Sequence, residues 1–236
     1  MSTPDFASYT LSDIEAAIRY KKRRKIESYF PDTGPFRREL YTKHMEFFEA
    51  GSKYAERLFI AANKVGKTQG LGFETALHAT GNYPGWWQGA RWKKPIQGWI
   101  CNTTWETVRD VNQLELIGPP EQQELWGTGM IPGDSIKDIE RGGAMKNGIL
   151  LVQVKYRDSK SEASTLQFKN YEQGRESFQG TNKDWIWPDE EVPAEIYEEM
   201  LLRTMVCGGH IAMSYTPILG MTPLTQSFME GPQQSA

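Results

Sequence analysis

The sequence predicts an α/β domain built on a mostly parallel sheet, and three observations carry that expectation. Short apolar runs recur along the chain, stretches of helical spacing separate them, and turn residues punctuate the joins. With 236 residues, 39% hydrophobic and 24% charged, the chain suits one medium domain with a true core, or one domain with a smaller appendage.

Taken in order, residues 11–18 read as a helix capped by Ser12 or Asp13. The breaker cluster Pro31-Asp32-Thr33-Gly34-Pro35 reads as a linker, so residues 1–35 are expected to form a helical extension. A second helix is expected over residues 36–50, with Leu40, His44, Phe47 and Phe48 near one face, stopped by Gly51-Ser52. Strands are expected at residues 58–62, 97–101, 149–154, 164–168, 185–187 and 210–214. One helix should begin near Lys67 and another should run over residues 105–116. Residues 81–95, with Trp86, Trp87 and Trp92, and residues 118–148 read as long surface excursions.

Composition narrows the function classes. No apolar run approaches the roughly 18–20 residues that cross a bilayer, and Met1-Ser2-Thr3-Pro4-Asp5 does not open a signal peptide. Cys101 and Cys207 form no CxxC pair, which suggests reduced thiols in a cytosolic setting. His44, His78 and His210 stand at no zinc-ligand spacing. A net charge of −3 argues against a chain coated in positive charge, and Lys21-Lys22-Arg23-Arg24-Lys25 reads first as the solvated face of a helix.

Two segments carry chemistry. Ala61-Ala62-Asn63-Lys64-Val65-Gly66-Lys67-Thr68 fits G-x-x-x-x-G-K-[ST] with Ala61 in place of the first glycine. A strand ends there, backbone N–H groups turn inward, and a helix starts whose positive end meets phosphates. Lys67 would reach the β- and γ-phosphates, and the Thr68 hydroxyl would coordinate Mg²⁺. Downstream, Ile186-Trp187-Pro188-Asp189-Glu190-Glu191 sets adjacent carboxylates at the end of an apolar run. Asp189 is assigned to the metal and Glu190 to the attacking water. An acidic turn is the competing reading, since Glu195, Glu198 and Glu199 follow, but the loop and the pair together make a P-loop ATPase.

A third segment, Ser214-Tyr215-Thr216-Pro217, ends the next apolar run. With it the chain resembles a known family. Residues 62–68 are similar to the N-R-x-G-K-T loop of phage large terminases, residues 187–193 resemble their W-x-D-E-E-x-P segment, and residues 214–217 resemble their coupling motif. The resemblance runs from about Tyr41 to Leu224. It implies a P-loop NTPase of the ASCE type, an ATP- and Mg²⁺-dependent motor that drives double-stranded DNA into a procapsid through a portal protein. A small terminase subunit and a homo-oligomeric ring are further implied, as are the bacterial cytoplasm and docking on the procapsid. Ser214 and Thr216 would couple hydrolysis to movement. The ATPase domain would span residues 36–226, and residues 227–236 would lead toward a nuclease domain missing from this chain.

Departures from the family pattern set the remaining expectations. Lys64 stands where many members carry Arg, and it could complete the site in cis. His44 stands near a position where relatives read adenine with glutamine; it could contact a base or be a packed helical histidine. Arg175 could act as a finger in a neighbour's site, or pair with Glu172 or Glu176. Arg91, Lys93, Lys94, Arg109, Lys137 and Lys155 are candidate DNA contacts, whereas the tryptophans read as packing. A helicase-like ATPase and a non-catalytic nucleotide-binding assembly module are the rival functions.

Overall fold

The structure, a computed structural model, describes residues 10–142, 148–157, 159–217 and 220–230. Helix α1 (Leu11–Lys22) starts at Thr10, whose hydroxyl accepts from the Asp13 backbone while the Asp13 carboxylate accepts in return. The cap is therefore Thr10, two positions before Ser12, the first of the pair expected to supply it. Helix α2 (Thr42–Ala50) is shorter than expected because Tyr41, at φ −122°, breaks the helical path, and only a 3₁₀ turn precedes it at Arg38–Leu40. Leu40 is exposed, whereas His44, Phe47 and Phe48 turn inward.

Seven strands form one sheet, in the order β1-β7-β6-β2-β5-β4-β3. Strands β1 (Glu56–Ile60), β2 (Gln97–Asn102), β5 (Ala163–Asn170), β6 (Trp185–Pro188) and β7 (His210–Tyr215) run parallel. Strands β3 (Ile136–Arg141) and β4 (Ile149–Lys155) extend the sheet antiparallel. Six strands match the sequence expectation; β3 lies inside what was expected to be a surface excursion, and is a correction.

The parallel strands are buried on both faces, which is why they read as continuous apolar runs. On one face, Trp185, Trp187, Ile100 and Ala212 meet helix α3 (Lys67–Thr80) and the rings of Phe30, Phe48 and Phe73. Between β2 and β3 the chain is helical over α4 (Trp105–Thr107), a π-helical stretch (Val108–Gln113) and α5 (Leu114–Ile117). On the other face of the sheet, Trp99, Ile186, Ile211, Met213 and Tyr215 meet α6 (Ala194–Met205). Residues 81–95 are no free excursion. Trp87 is buried, Trp86 stacks on Phe73 at 6.0 Å, and Trp92 meets His78 at 4.4 Å, so these rings pack against the core. A last helix, α7 (Pro223–Glu230), follows β7; residues 231–236 of the expected linker lie outside the described residues. Among the described residues no helix is long and apolar enough to cross a membrane.

Candidate active site

The loop between β1 and α3 has the backbone the sequence requires. Gly66 sits at φ 86° and Lys64 at φ 65°, so two residues turn left-handed immediately before the helix. Gly70, one turn into α3, lets the helix approach α2: a Cβ there would stand 2.8 Å from the His44 ring. His44 uses that space to lie under the loop, with Nε2 3.2 Å from the Gly66 carbonyl, a contact that needs the Nε2–H tautomer. Its ring is enclosed by Tyr41, Phe30 and Phe59, and burial moves its pKa down. Its contacts are thus those of a packed histidine supporting the loop.

The ends of β6 and β7 bring the remaining groups to α3. Asp189 is buried, and its carboxylate accepts from the Ser214 hydroxyl at 2.7 Å, the Thr68 hydroxyl at 3.2 Å and the Asn112 amide at 3.3 Å. Burial is the largest influence on it and pushes its pKa up to about 6; the three donors oppose that rise and the neighbouring Glu190 adds to it. Glu190 is half-buried and its pKa is also raised by burial, with Lys67 opposing. It adopts φ 75°, a costly conformation for a residue with a side chain. Its N–H donates to the Ser214 carbonyl, and the buried Tyr171 hydroxyl donates to its carbonyl at 3.2 Å, so β7 and Tyr171 hold that backbone in place.

Lys67 donates to the carbonyls of Ala61 and Ala62 and to the Thr216 hydroxyl, each at 2.9 Å. Thr216 in turn donates to the Asn63 side chain at 2.7 Å. The Thr-Pro segment after β7 therefore touches both the lysine and the loop. A cleft of about 340 Å³ is lined by Asn63, Lys64, Gly66, Lys67, Thr68, Asp189 and Glu190.

The loop, the acidic pair and the Thr-Pro segment thus meet at the carboxyl ends of parallel strands. Residues 58–225 match the family model for the terminase large subunit, T4likevirus-type, N-terminal. The chain belongs to the terminase large-subunit family. It is 35% identical over 210 residues to the large subunit of the terminase of Salmonella phage P22, covering 83% of this chain and 42% of that protein. Among solved structures, the large terminase of a thermophilic bacteriophage is similar at 12% identity and TM-score 0.48, covering 83% of this chain and 38% of that one. The ADP complex of the same terminase gives a TM-score of 0.47. This chain spans less than half the length of these terminases.

Two expectations about the terminase site change. Arg175 is not beside the cleft; its guanidinium lies 3.2 Å from Glu199 and 3.9 Å from Glu198 on α6, so its partners are not Glu172 or Glu176. Several candidate DNA contacts are tied locally: Arg91 to the Trp87 carbonyl, Lys94 to Asp184, Arg109 to Asp110, Lys137 to the Ser161 carbonyl and Lys155 to the Asp134 carbonyl. The sequence reading missed Asn112. This buried amide, within the π-helical turn, links Asp189 to Asn102 at the end of β2.

Proposed function

We propose that this chain is the ATP-hydrolysing module of a genome-packaging motor that drives double-stranded DNA into a procapsid. The observation that carries this reading is the meeting of Thr68, Asp189 and Ser214 on one side of the cleft with Lys67 and Thr216 on the other. In this reading Lys67 turns from the loop carbonyls to the β- and γ-phosphates, and the backbone N–H groups of residues 62–67 cradle them. Glu190 takes a hydrogen bond from the attacking water, aligning it and drawing off charge as the bond to phosphorus forms. The Thr68 hydroxyl and Asp189 carboxylate are hard oxygen donors of the kind Mg²⁺ accepts, and they would hold it. When bound, the ion neutralises charge on the phosphoryl oxygens. Ser214 and Asn112 orient Asp189. Thr216 contacts Lys67 and Asn63, so loss of the γ-phosphate would be felt at the end of β7. Lys64 in cis, or Arg175 from a neighbouring copy, would complete the charge.

In the same reading residues 1–35 form an extension, whose Phe30 packs into the core, and residues 36–226 the ATPase. DNA, a portal protein, a small terminase subunit and further copies in a ring are the proposed partners, met in the host cytoplasm at the procapsid. Two variants test the chemistry. Lys67→Ala should abolish nucleotide binding, while Glu190→Gln should bind ATP with turnover reduced by about 10²–10⁴. A fully active Glu190→Gln would move the water-aligning role to Glu191, which accepts a hydrogen bond from Thr222. Turnover retained in Lys67→Ala would refute the loop assignment.

A further inference from the structure

Helix α1 buries no side chain among the described residues. It is anchored only beyond its end, where Arg23 bonds the Glu124 carbonyl, the Gly133 N–H donates to Arg23, and Arg24 pairs with Asp134. An isolated helix of about 12 residues is marginal in water, because most helical stability comes from packing an apolar face. Yet α1 carries such a face: Leu11, 81% exposed, then Ile14 and Ile18, at spacings of three and four, continuing into Lys21 and Lys22.

Helix α6 presents a matching stripe. Its inner side, Ile196, Tyr197, Met200 and Thr204, is buried, and outward it shows Glu195, Glu198, Leu202 and Met205, with Val206 next. Met205 and Val206 are about three-quarters exposed, at 74% and 75%. The spacing is again three, four, three. Laid antiparallel, Leu11 falls opposite Met205 and Val206, Ile14 opposite Leu202, Ile18 opposite Glu198, and Lys21 and Lys22 opposite Glu195, with Glu198 within their reach. The apolar end of each helix meets the apolar end of the other, and the basic end meets the acidic one. Laid parallel, the same stripes would set Glu195 and Glu198 against Leu11 and Ile14.

We propose that α1 of one copy docks antiparallel on α6 of the next, with Leu11 and Ile14 against Leu202, Met205 and Val206 and with Lys21 and Lys22 against Glu195 and Glu198. The two stripes belong to different sides of the sheet. The chain following α1 packs into the core beside α3 through Ile26, Tyr29 and Phe30, whereas α6 covers the opposite face. A contact within one chain would have to cross the sheet; two copies meet without doing so. Such a head-to-tail interface is heterologous, and repeats into a closed ring or a filament. This rests on the proposed motor only for its setting, since the surfaces and register come from the helices themselves.

The test is disulfide trapping in the Cys207→Ser background, the remaining Cys101 being buried. Ile14→Cys protein mixed with Leu202→Cys protein should form linked dimers roughly tenfold faster than Ile14→Cys mixed with Tyr54→Cys, because docking raises the local concentration of the pair. Changing Lys21 and Lys22 to Glu should remove that excess, and adding Glu195→Lys and Glu198→Lys to the partner should restore it. The proposal is overturned by trapping no faster than the control, by Ile14→Cys dimerising with itself faster than with Leu202→Cys, or by an intrachain link when both cysteines share one chain. All substitutions are at exposed positions, and unchanged ATP affinity of each variant separates failure of the interface from failure of the nucleotide site.

Discussion

Two buried carboxylates stand on the same side of this sheet, and their surroundings are opposites. Glu74, in the middle of α3, takes both Arg57 guanidinium nitrogens, at 2.9 and 3.3 Å, and lies 3.3 Å from the His78 ring. Burial alone would raise its pKa, but Arg57 and His78 outweigh it and the pKa falls. Asp189, at the end of β6, has only neutral donors in contact: two hydroxyls and an amide. Its pKa rises to about 6. One carboxylate has its cation built into the chain. The other is held by hydrogen bonds and left with charge to share, as a site for a divalent cation requires. The difference separates a structural ion pair from the carboxylate that the proposed function assigns to the metal more clearly than burial does, since both are buried.

Breaking the structural pair should have the largest effect. Arg57→Met leaves the buried Glu74 charge with only the His78 ring beside it and should cost about 3–5 kcal/mol of stability, read from the change in denaturant midpoint. Adding Glu74→Gln should recover most of that loss. If the double variant is no better than the single, the pair is not what Arg57 provides.

A smaller effect, of opposite sign, is expected at Asp189. Its native pKa lies above the ordinary carboxylate value, so the charged form destabilises the fold, and the protein loses stability as pH rises from about 4 through about 6. Asp189→Asn, measured in chelator without nucleotide, should match the wild type near pH 4 and melt higher at pH 7. A tenfold change in proton affinity is worth roughly 1.4 kcal/mol, which bounds the gain at about 3 kcal/mol, less any accepted hydrogen bond the amide loses. A melting difference that does not change with pH would show that Asp189 is neutral or already compensated. Asn112→Ala should be the mildest, costing about 2 kcal/mol for two hydrogen bonds at roughly 1 kcal/mol each. Under the proposed function it should also raise the Mg²⁺ concentration that supports turnover. An unchanged Mg²⁺ midpoint would remove Asn112 from the site.

Most of the sheet and the contiguous parts of the site were legible in the sequence. Buried parallel strands show as apolar runs, and the phosphate loop, the acidic pair and the Thr-Pro segment each lie within a few residues. What escaped was set by irregularity or by distance along the chain. Strand β3 is an edge strand whose inward residues, Ile136 and Ile139, are three apart because a bulge falls between them, so alternation fails. Its other residues, Lys137, Asp138, Glu140 and Arg141, look like a loop. Arg175 found its carboxylates on α6 and not among its sequence neighbours, because a 3₁₀ turn and not an α-helix follows it. The fully buried Glu74 and His78 read as two more polar residues of a helix until Arg57, from β1, came to meet them.

The π-helical stretch has one more consequence. A π turn holds more residues than the α turn it stands in for, so the stretch acts as an insertion absorbed without lengthening the helix. Asn112 and Gln113 both lie within the stretch. Because the extra residue is absorbed locally, removing a single residue from 109–111 would let the segment relax to an ordinary α-helix while α5 keeps its place. The turn that is rebuilt is the one that holds Asn112 against Asp189 and Gln113 against the N–H and the carbonyl of Ile149. One irregular turn thus serves both the candidate active site and the antiparallel extension of the sheet, and a deletion that the helix itself tolerates would be felt first at those two contacts.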